Sequence, residues 1–183
     1  MLTIPVGHTL AALREVLGEW AQVSSVLATR RKTARIADTG EMLAVTAPDQ
    51  VLVSGLFASR VPISLHYCGG MPRDGQGLLW EINGTDGEIR ICAPYGHIQM
   101  VPLALTGAQG EDTMFLRLHI PESCLAGLPA DPQTGNVARI CALMARDLRE
   151  GTRSAPGFGD AVAIHRISAA IERSAQTGES ADS

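Results

Sequence analysis

The sequence predicts an α+β fold, an open and mostly antiparallel sheet of about six strands with helices on one face. Strand-like segments follow one another with short turns, as in antiparallel sheets, where neighbouring strands need no crossover. Helical segments stand before and after these strands, and this segregation is typical of helices that cover one sheet face. At 183 residues, we expect a single domain over residues 1–178. Residues 179–183 are polar, and we expect this tail to fray.

Three segments have the apolar periodicity of amphipathic helices. Residues 9–20 form the first, whose apolar positions run from Leu10 to Trp20. Asn136 is expected to cap the second helix, and the third covers residues 159–174. The buried faces are predicted to contain Val137, Ile140, Cys141, Met144 and Leu148 in the second helix, and Ala161, Ile164, Ile167 and Ile171 in the third.

The strands are predicted from alternation and from the turn residues that separate them. Ser59-Arg60 and the segment from Gly84 to Gly87 are expected to form hairpin turns. Residues 32–49 are interpreted as a long connection with a short extended piece, and residues 72–77 as a chain break. Pro62 and Pro102 each lack a ladder donor and are therefore expected at edges or bulges. The predicted strands are residues 23–29, 50–58, 61–67, 78–83, 88–92, 98–105 and 113–120.

Composition excludes several functional classes. The net charge is −4, whereas nucleic-acid binding requires clustered basic residues. Arg30, Arg31 and Lys32 with Arg35 form the basic cluster, which we interpret as a solvated loop or strand end. No segment has the apolar length of a membrane span, and no signal peptide is visible. The four cysteines lack C-x-x-C spacing, so we expect reduced thiols and a cytoplasmic protein.

The sequence lacks nucleotide-binding motifs. It contains neither G-x-G-x-x-G nor G-x-x-x-x-G-K-[ST], and its single lysine is Lys32. We therefore expect this chain alone to bind no dinucleotide. The histidines do not have metal-ligand spacing, so no metal site is predicted. Strands around residues 51–57 and 100–105 are apolar on both faces, which favours a partner over open water.

His8 and Trp80 are the candidate ligand contacts. His8 is predicted at a strand-to-helix entry, where free backbone N–H groups would meet a ligand, and its imidazole suits acid–base chemistry. A structural role at the helix start is the alternative. Trp80 could stack on a sugar, although a core position is the commoner outcome for tryptophan. We expect no catalytic residue in the isolated chain, with His8 the weak candidate.

Five segments, in order along the chain, resemble the C-terminal domain of the Gfo/Idh/MocA oxidoreductases, in particular the branch that includes the fungal galactose-pathway repressor. The segments are T-I-P-V-G-H-T-L from Thr3, A-P-D-Q-V-L-V-S-G from Ala47, W-E-I-N-G-T-D-G-E-I-R-I from Trp80, N-V-A-R-I from Asn136 with Asp147 downstream, and F-G-D-A-V-A-I-H-R from Phe158. The resemblance implies the same open sheet, substrate contacts, and a homo-oligomer formed through the exposed sheet face. In the family this domain follows a Rossmann domain that binds NAD or NADP and carries a Glu-Lys-Pro segment.

The chain departs from the family pattern at its first helix. Active members carry Asp-x-x-x-His with a second Asp three residues later. His8 matches the histidine, but Ile4 and Ala11 occupy the two Asp positions. An apolar side chain cannot orient an imidazole or share its proton, so the resemblance does not imply a complete proton relay here.

Two functions remain open from the sequence. The first is the substrate-binding and dimerisation domain of an NAD(P)-dependent oxidoreductase acting on sugars or related polyols, without turnover on its own. Such a domain would need a Rossmann-domain partner. The alternative is a stand-alone, non-catalytic module for sugar sensing or protein interaction, which the residues Ile4 and Ala11 favour.

Overall fold

The computed structural model describes residues 1–70, 73, 75–125 and 127–183. The predicted chain break at residues 72–77 therefore lies partly outside the described residues. Two compact units are present, Met1–Gly70 with Phe158–Ser183, and Met71–Gly157. The described helices and strands are α1 (Gly7–Leu17), β1 (Trp20–Ala28), β2 (Thr33–Arg35), β3 (Met42–Ala44), β4 (Gln50–Phe57), β5 (Pro62–Cys68), β6 (Leu78–Asn83), β7 (Gly87–Ala93), β8 (Ala104–Gln109), β9 (Leu116–Arg117), α2 (Pro132–Glu150), α3 (Phe158–Thr177) and β10 (Ala181–Asp182).

The predicted fold class is confirmed. Helices combine with antiparallel strands, which the described residues divide into sheets of four, two and four strands. The strand orders are β10-β1-β4-β5, β2-β3 and β6-β7-β8-β9. Both predicted hairpins are confirmed, since β4 pairs antiparallel with β5 and β6 with β7. Pro62 begins the edge strand β5, where its missing N–H is tolerated.

The first unit has its core between α3 and the inner face of the β1–β4–β5 sheet. Val23, Val51 and Val53 point to this face, and Ile167 and Ile171 of α3 are also buried. Polar contacts join the same elements, because Ser25 Oγ donates to Ile171 O at 2.6 Å and Ser174 Oγ accepts from Ser25 N at 3.0 Å. This helix therefore covers the sheet as the sequence predicts.

The outer face of this first sheet is mixed in character. The paired residues Ser24, Ser54 and Ser64 form a row of hydroxyl groups across three strands. Val26 and Leu52 are apolar, and their side chains are 58% and 41% exposed. The strand around residues 51–57 was predicted to be apolar on both faces. This holds for its outer face at Leu52 but not at Ser54, which belongs to the row of serines.

The second unit contains an amphipathic sheet. The pairing Leu78↔Ala93, Trp80↔Ile91 and Ile82↔Ile89 places apolar residues of β6 and β7 on one face. Leu105 and Gly107 of β8 and Leu116 of β9 continue this face through their cross-strand pairs. Its buried end packs on Val101, while Ile89 is 41% and Leu116 is 55% exposed. We call the more accessible end, Ile82, Ile89 and Leu116, the open apolar face, within which Gly107 is buried against the Leu118 side chain.

Several element boundaries differ from the sequence predictions. Gly18, with φ of 92°, ends α1 at Leu17, so Trp20 belongs to β1 and packs on Phe57 with ring centroids 4.5 Å apart. Residues 32–49 contain the β2–β3 hairpin. Residues 98–100 form a 3-10 turn, and the strand that follows is β8. The strand predicted at 113–120 is reduced to β9.

The second helix and the chain end also need correction. Asp131, not Asn136, caps α2, and its carboxylate accepts from Thr134 N at 2.9 Å. The predicted inner face of α2 is not buried, because exposure ranges from 40% at Ile140 to 85% at Leu148. The expectation of a frayed tail is wrong, since β10 pairs with β1 and Ser183 Oγ donates to Trp20 O at 2.5 Å.

Candidate functional site

His8 lies at the start of α1, after a π-helical turn over Leu2–Val6. Apolar residues on one side of this segment pack into the core, and these are Leu2, Val6, Leu10 and Leu13. The segment is helical because that spacing buries one continuous face. The predicted strand-to-helix entry is therefore wrong, and Gly7 N–H is satisfied by Leu2 and Ile4 carbonyl groups.

The side chain of His8 is on the exposed face of this helix. Ile4 precedes it by four residues and Ala11 follows by three, so all three share that face. Ile4 is 67% exposed and Ala11 is also exposed. The next carboxylate on the same face is Glu15, two turns beyond His8. The arrangement can present an imidazole to a ligand but supplies no adjacent acidic partner at the two flanking positions.

Trp80 lies in β6, within the second unit. It is half-buried and packs against the cluster of Leu78, Ala93 and Val101. Most of the indole therefore serves the core of that unit. Sugar stacking by Trp80 stays a prediction, as does ligand contact by His8, and each residue belongs to a different unit.

An open cavity of about 690 Å³ lies in the second unit, at the β6–β7 turn and the β8–β9 connection. Asp86, Glu88 and Asp112 line it, together with Phe115. Asp112 accepts from Gln109 N at 3.0 Å, so it also closes the loop that forms one wall. Sequence reasoning assigned no site here, because the two loops are brought together only by strand pairing.

The remaining histidines occupy separate positions. His66 is in β5, His97 precedes the 3-10 turn with its ring 6.4 Å from Tyr95, and His165 is exposed on α3. His119, predicted in a strand, follows β9 and is exposed. Among the described residues, no group of three or more His, Cys, Asp or Glu side chains could hold a metal ion.

Sequence reasoning missed one group, formed by His66, Cys68 and Gln50. His66 Nε2 lies 3.1 Å from Cys68 Sγ and 3.1 Å from Gln50 Oε1. The sequence alone indicates part of this group, because His66 and Cys68 are two residues apart in a strand and therefore share a face. The contribution of Gln50 depends on the pairing Gln50↔Cys68, which is not a local property of the sequence.

Two carboxylates hold loops in the first and second units. The Arg30 and Arg31 backbone N–H groups, which donate at 2.9 and 2.7 Å, lower the pKa of Asp49. The basic cluster is thus an exposed loop anchored through its backbone. Hydrogen bonds from the Thr152 hydroxyl and from the Ala155 and Ser154 backbone hold the pKa of Asp147 well below its usual range. Neither aspartate is therefore available as a proton donor at neutral pH.

Within the described part of the chain, no helix has the length and apolar character needed to cross a membrane.

Comparisons with known proteins agree on one group of relatives. Residues 1–93 match the family described as "Gal80p, C-terminal domain". The galactose/lactose metabolism regulatory protein GAL80 of Kluyveromyces lactis is 28% identical over 108 residues, which are 54% of this chain and 24% of that protein.

Solved structures share the fold across the whole chain. A super-repressor mutant of Gal80p from Saccharomyces cerevisiae superposes with a TM-score of 0.84 at 19% identity, covering 100% of this chain and 49% of that one. Levoglucosan dehydrogenase in its apo form gives a TM-score of 0.77 at 22% identity, covering 98% of this chain and 49% of the enzyme. The chain therefore spans about half the length of these structures and a quarter of the curated relative.

Proposed function

The chain belongs to the family of Gal80p C-terminal domains, and we propose that it is the substrate-binding and assembly domain of a sugar oxidoreductase-type protein, without turnover on its own. The substrates would be sugars or related polyols. NAD or NADP would be bound by a Rossmann domain and not by these 183 residues. The observation that carries this proposal is the exposed helix face around His8.

The exposed face of α1 supports binding in preference to proton transfer. His8 is accessible and is held by a helix whose opposite side is fully packed, since Val6 and Leu10 are 0% exposed. An imidazole in a fixed position can donate or accept a hydrogen bond with a sugar hydroxyl. Ile4 offers an apolar surface beside it, which suits the C–H faces of a sugar ring.

A stand-alone regulatory module is the second candidate function. Ile4 and Ala11 occupy positions where the enzymes of the resembled family carry Asp, so the chain keeps the histidine without its acidic partners. The curated relative is itself named as a regulatory protein. In this case a sugar would alter assembly with a partner and no oxidation would follow.

Binding to the isolated chain is the first experiment. Amide NMR spectra of labelled protein would be recorded with galactose, levoglucosan and NADH, each at millimolar concentration. We expect a sugar to shift amides around α1 and NADH to shift none. His8→Ala should weaken sugar binding about fivefold, the value of one hydrogen bond. His119→Ala, an exposed histidine of the second unit, is the matched control and should leave binding unchanged.

The results separate the proposals. Saturable NADH binding by the chain alone would contradict the assignment of cofactor binding to a Rossmann domain. Sugar shifts that are insensitive to His8→Ala would contradict the assigned site. Sugar binding accompanied by oxidation, after a Rossmann domain of the related family is supplied, would favour the oxidoreductase. Sugar binding with no turnover under the same conditions would favour the regulatory module.

We assign self-association to the open apolar face of the second unit. Its three members, Ile82, Ile89 and Leu116, are uncharged, and the charged residues of these strands, among them Glu81 and Arg90, lie on the other face by register. Two copies of an uncharged apolar face can meet across a two-fold axis without like-charge repulsion. We therefore name a second copy of this chain as the occupant.

Sedimentation velocity tests this assignment. We expect a dimer that Leu116→Asp converts to a monomer, because a buried unpaired carboxylate is costly. Leu79→Asp places the same charge on the opposite face of the same sheet, where Leu79 is 51% exposed, and serves as control. A monomeric wild type, or a dimer that survives Leu116→Asp, would exclude this face.

The same proposal places the protein in the cytoplasm. All four cysteines are free, as is usual in a reducing compartment.

A further inference from the structure

The outer face of the first sheet combines a nucleophile with a base. Cys68 Sγ and His66 Nε2 are 3.1 Å apart, with Nδ1 of the same ring at 3.9 Å. Both residues are exposed and lie on one face of β5. β5 is an edge strand, so no described strand pairs along its free edge. A small molecule can therefore reach the sulfur.

The geometry permits proton transfer from the thiol to the ring. A thiolate, not a thiol, is the nucleophile in cysteine chemistry, and an imidazole within hydrogen-bond distance can remove the proton. When Nε2 holds that proton, Gln50 Oε1 at 3.1 Å accepts a hydrogen bond from it. Gln50 is thus a positioning residue that holds the His66 ring beside the sulfur.

The other thiols provide an internal comparison. Cys124 and Cys141 are exposed and Cys92 is half-buried. Among the described residues, Cys68 is the thiol with a ring nitrogen at hydrogen-bond distance. Three cysteines are therefore exposed, but among them His66 provides a base to Cys68 alone.

We propose that Cys68 is a site of thiol–disulfide exchange with small disulfides of the glutathione type. His66 Nε2 takes the thiol proton, and Cys68 Sγ attacks one sulfur of the disulfide. The new Sγ–S bond forms as the S–S bond breaks, and the leaving sulfur takes the electron pair and then a proton. One disulfide and one thiol enter and one mixed disulfide and one thiol leave, so Cys68 is oxidised as the departing half is reduced.

A second feature suits an anionic disulfide. Gly70 lies two residues beyond Cys68, and the Arg31 guanidinium packs directly against it. Glutathione disulfide is negatively charged at neutral pH, so this cation supplies attraction at the same end of β5. Asp49 lies against Gly69, next to Cys68, and its carboxylate accepts from the Arg30 and Arg31 backbone N–H groups. Its negative charge interacts with Arg31 and offsets part of this attraction.

The test measures the reaction of each cysteine in the full chain. Protein would be incubated with glutathione disulfide at pH 7, quenched with acid, digested, and analysed by mass spectrometry for the mixed disulfide at each position. An isolated thiol is only a few per cent thiolate at pH 7. Because His66 Nε2 is placed to take the thiol proton as attack occurs, we expect Cys68 to react about tenfold faster than Cys124 and Cys141.

Two variants identify the role of the ring. His66→Gln should slow Cys68 about tenfold while Cys124 and Cys141 of the second unit keep their rates. An unchanged circular dichroism spectrum and thermal melt would report that the first unit, which contains His66, is still folded. His119→Gln should leave all rates unchanged. Equal rates at the three exposed cysteines, or a Cys68 rate unchanged in His66→Gln, would overturn the proposal.

Discussion

Replacing Ser174 with alanine tests how α3 is joined to the first sheet. Ser174 is 2% exposed, and its Oγ accepts from Ser25 N at 3.0 Å. Strand β10 pairs only with Gln22 and Val23, so Ser25 lies beyond its end. The helix side chain therefore supplies the acceptor that a longer strand would have provided. Removing the hydroxyl leaves this backbone N–H without its partner beneath a packed helix.

The cost can be estimated from these contacts. An unsatisfied buried donor costs about 1–3 kcal/mol, whereas the better helix propensity of alanine returns about 0.5 kcal/mol. We expect the free energy of unfolding of this unit to fall by about 1–2 kcal/mol, or about 2–8 °C in melting temperature for a chain of this size.

Urea unfolding followed by circular dichroism measures the loss, and amide exchange at Ser25 localises it. Gln176→Ala is the matched control, because it changes propensity at an exposed position of the same helix. Equal stabilities for the two variants, with unchanged protection at Ser25, would refute the role assigned to Ser174.

Two further substitutions follow from the structure. Asp147→Asn should lower the melting temperature at neutral pH, because the carboxylate that anchors the loop is lost. Since folding lowers the pKa of Asp147, the stability advantage of the wild type is complete above about pH 4 and should shrink as the pH falls below that value. Thermal melts of both proteins in a pH series measure this difference. Gly55→Ala should lower the free energy of unfolding in urea by about 1–3 kcal/mol, since a Cβ there would overlap Gln22 O at the β1–β4 irregularity. In the control Gly159→Ala, the added Cβ meets open space and should cost nothing. Equal effects of the two substitutions would contradict this account.

Local turn chemistry was predictable because it depends on a few adjacent residues. The hairpin at Ser59-Arg60 is present with φ of 69° at Arg60, and Gly84 to Gly87 joins β6 to β7. The inner face of α3 was also predictable at Ile167 and Ile171, because its 3.6-residue period is regular. Each of these features is encoded within a short window.

Features that depend on distant partners were not predictable in the same way. The apolar period of α2 identifies an apolar side but cannot say whether anything covers it, and Leu148 is in fact 85% exposed. Trp20 continues the helical period of α1, yet Gly18 ends the helix and the ring packs on Phe57, far along the chain. The tail is ordered by Ser183 contacting Trp20, which no local pattern could indicate.

The candidate site shows the same division. The shared face of Ile4, His8 and Ala11 follows from helical spacing alone, whereas the exposure of that face required the packing of Leu10 and Leu13 on the other side. The Gln50 contact with His66 required strand register. Sequence therefore identified which residues lie together, and the fold determined which of those groups are open to a ligand.

The chemistry of α1 gives a physical reason to separate binding from turnover. A hydrogen bond to a sugar requires one polar group in a fixed place, and His8 meets this condition. Proton transfer requires in addition a second group that orients the ring and receives or returns the proton. Ile4 and Ala11 cannot do either, and Glu15 is two turns away. The face formed by Ile4, His8 and Ala11 therefore suits the binding role that we propose better than it suits proton transfer.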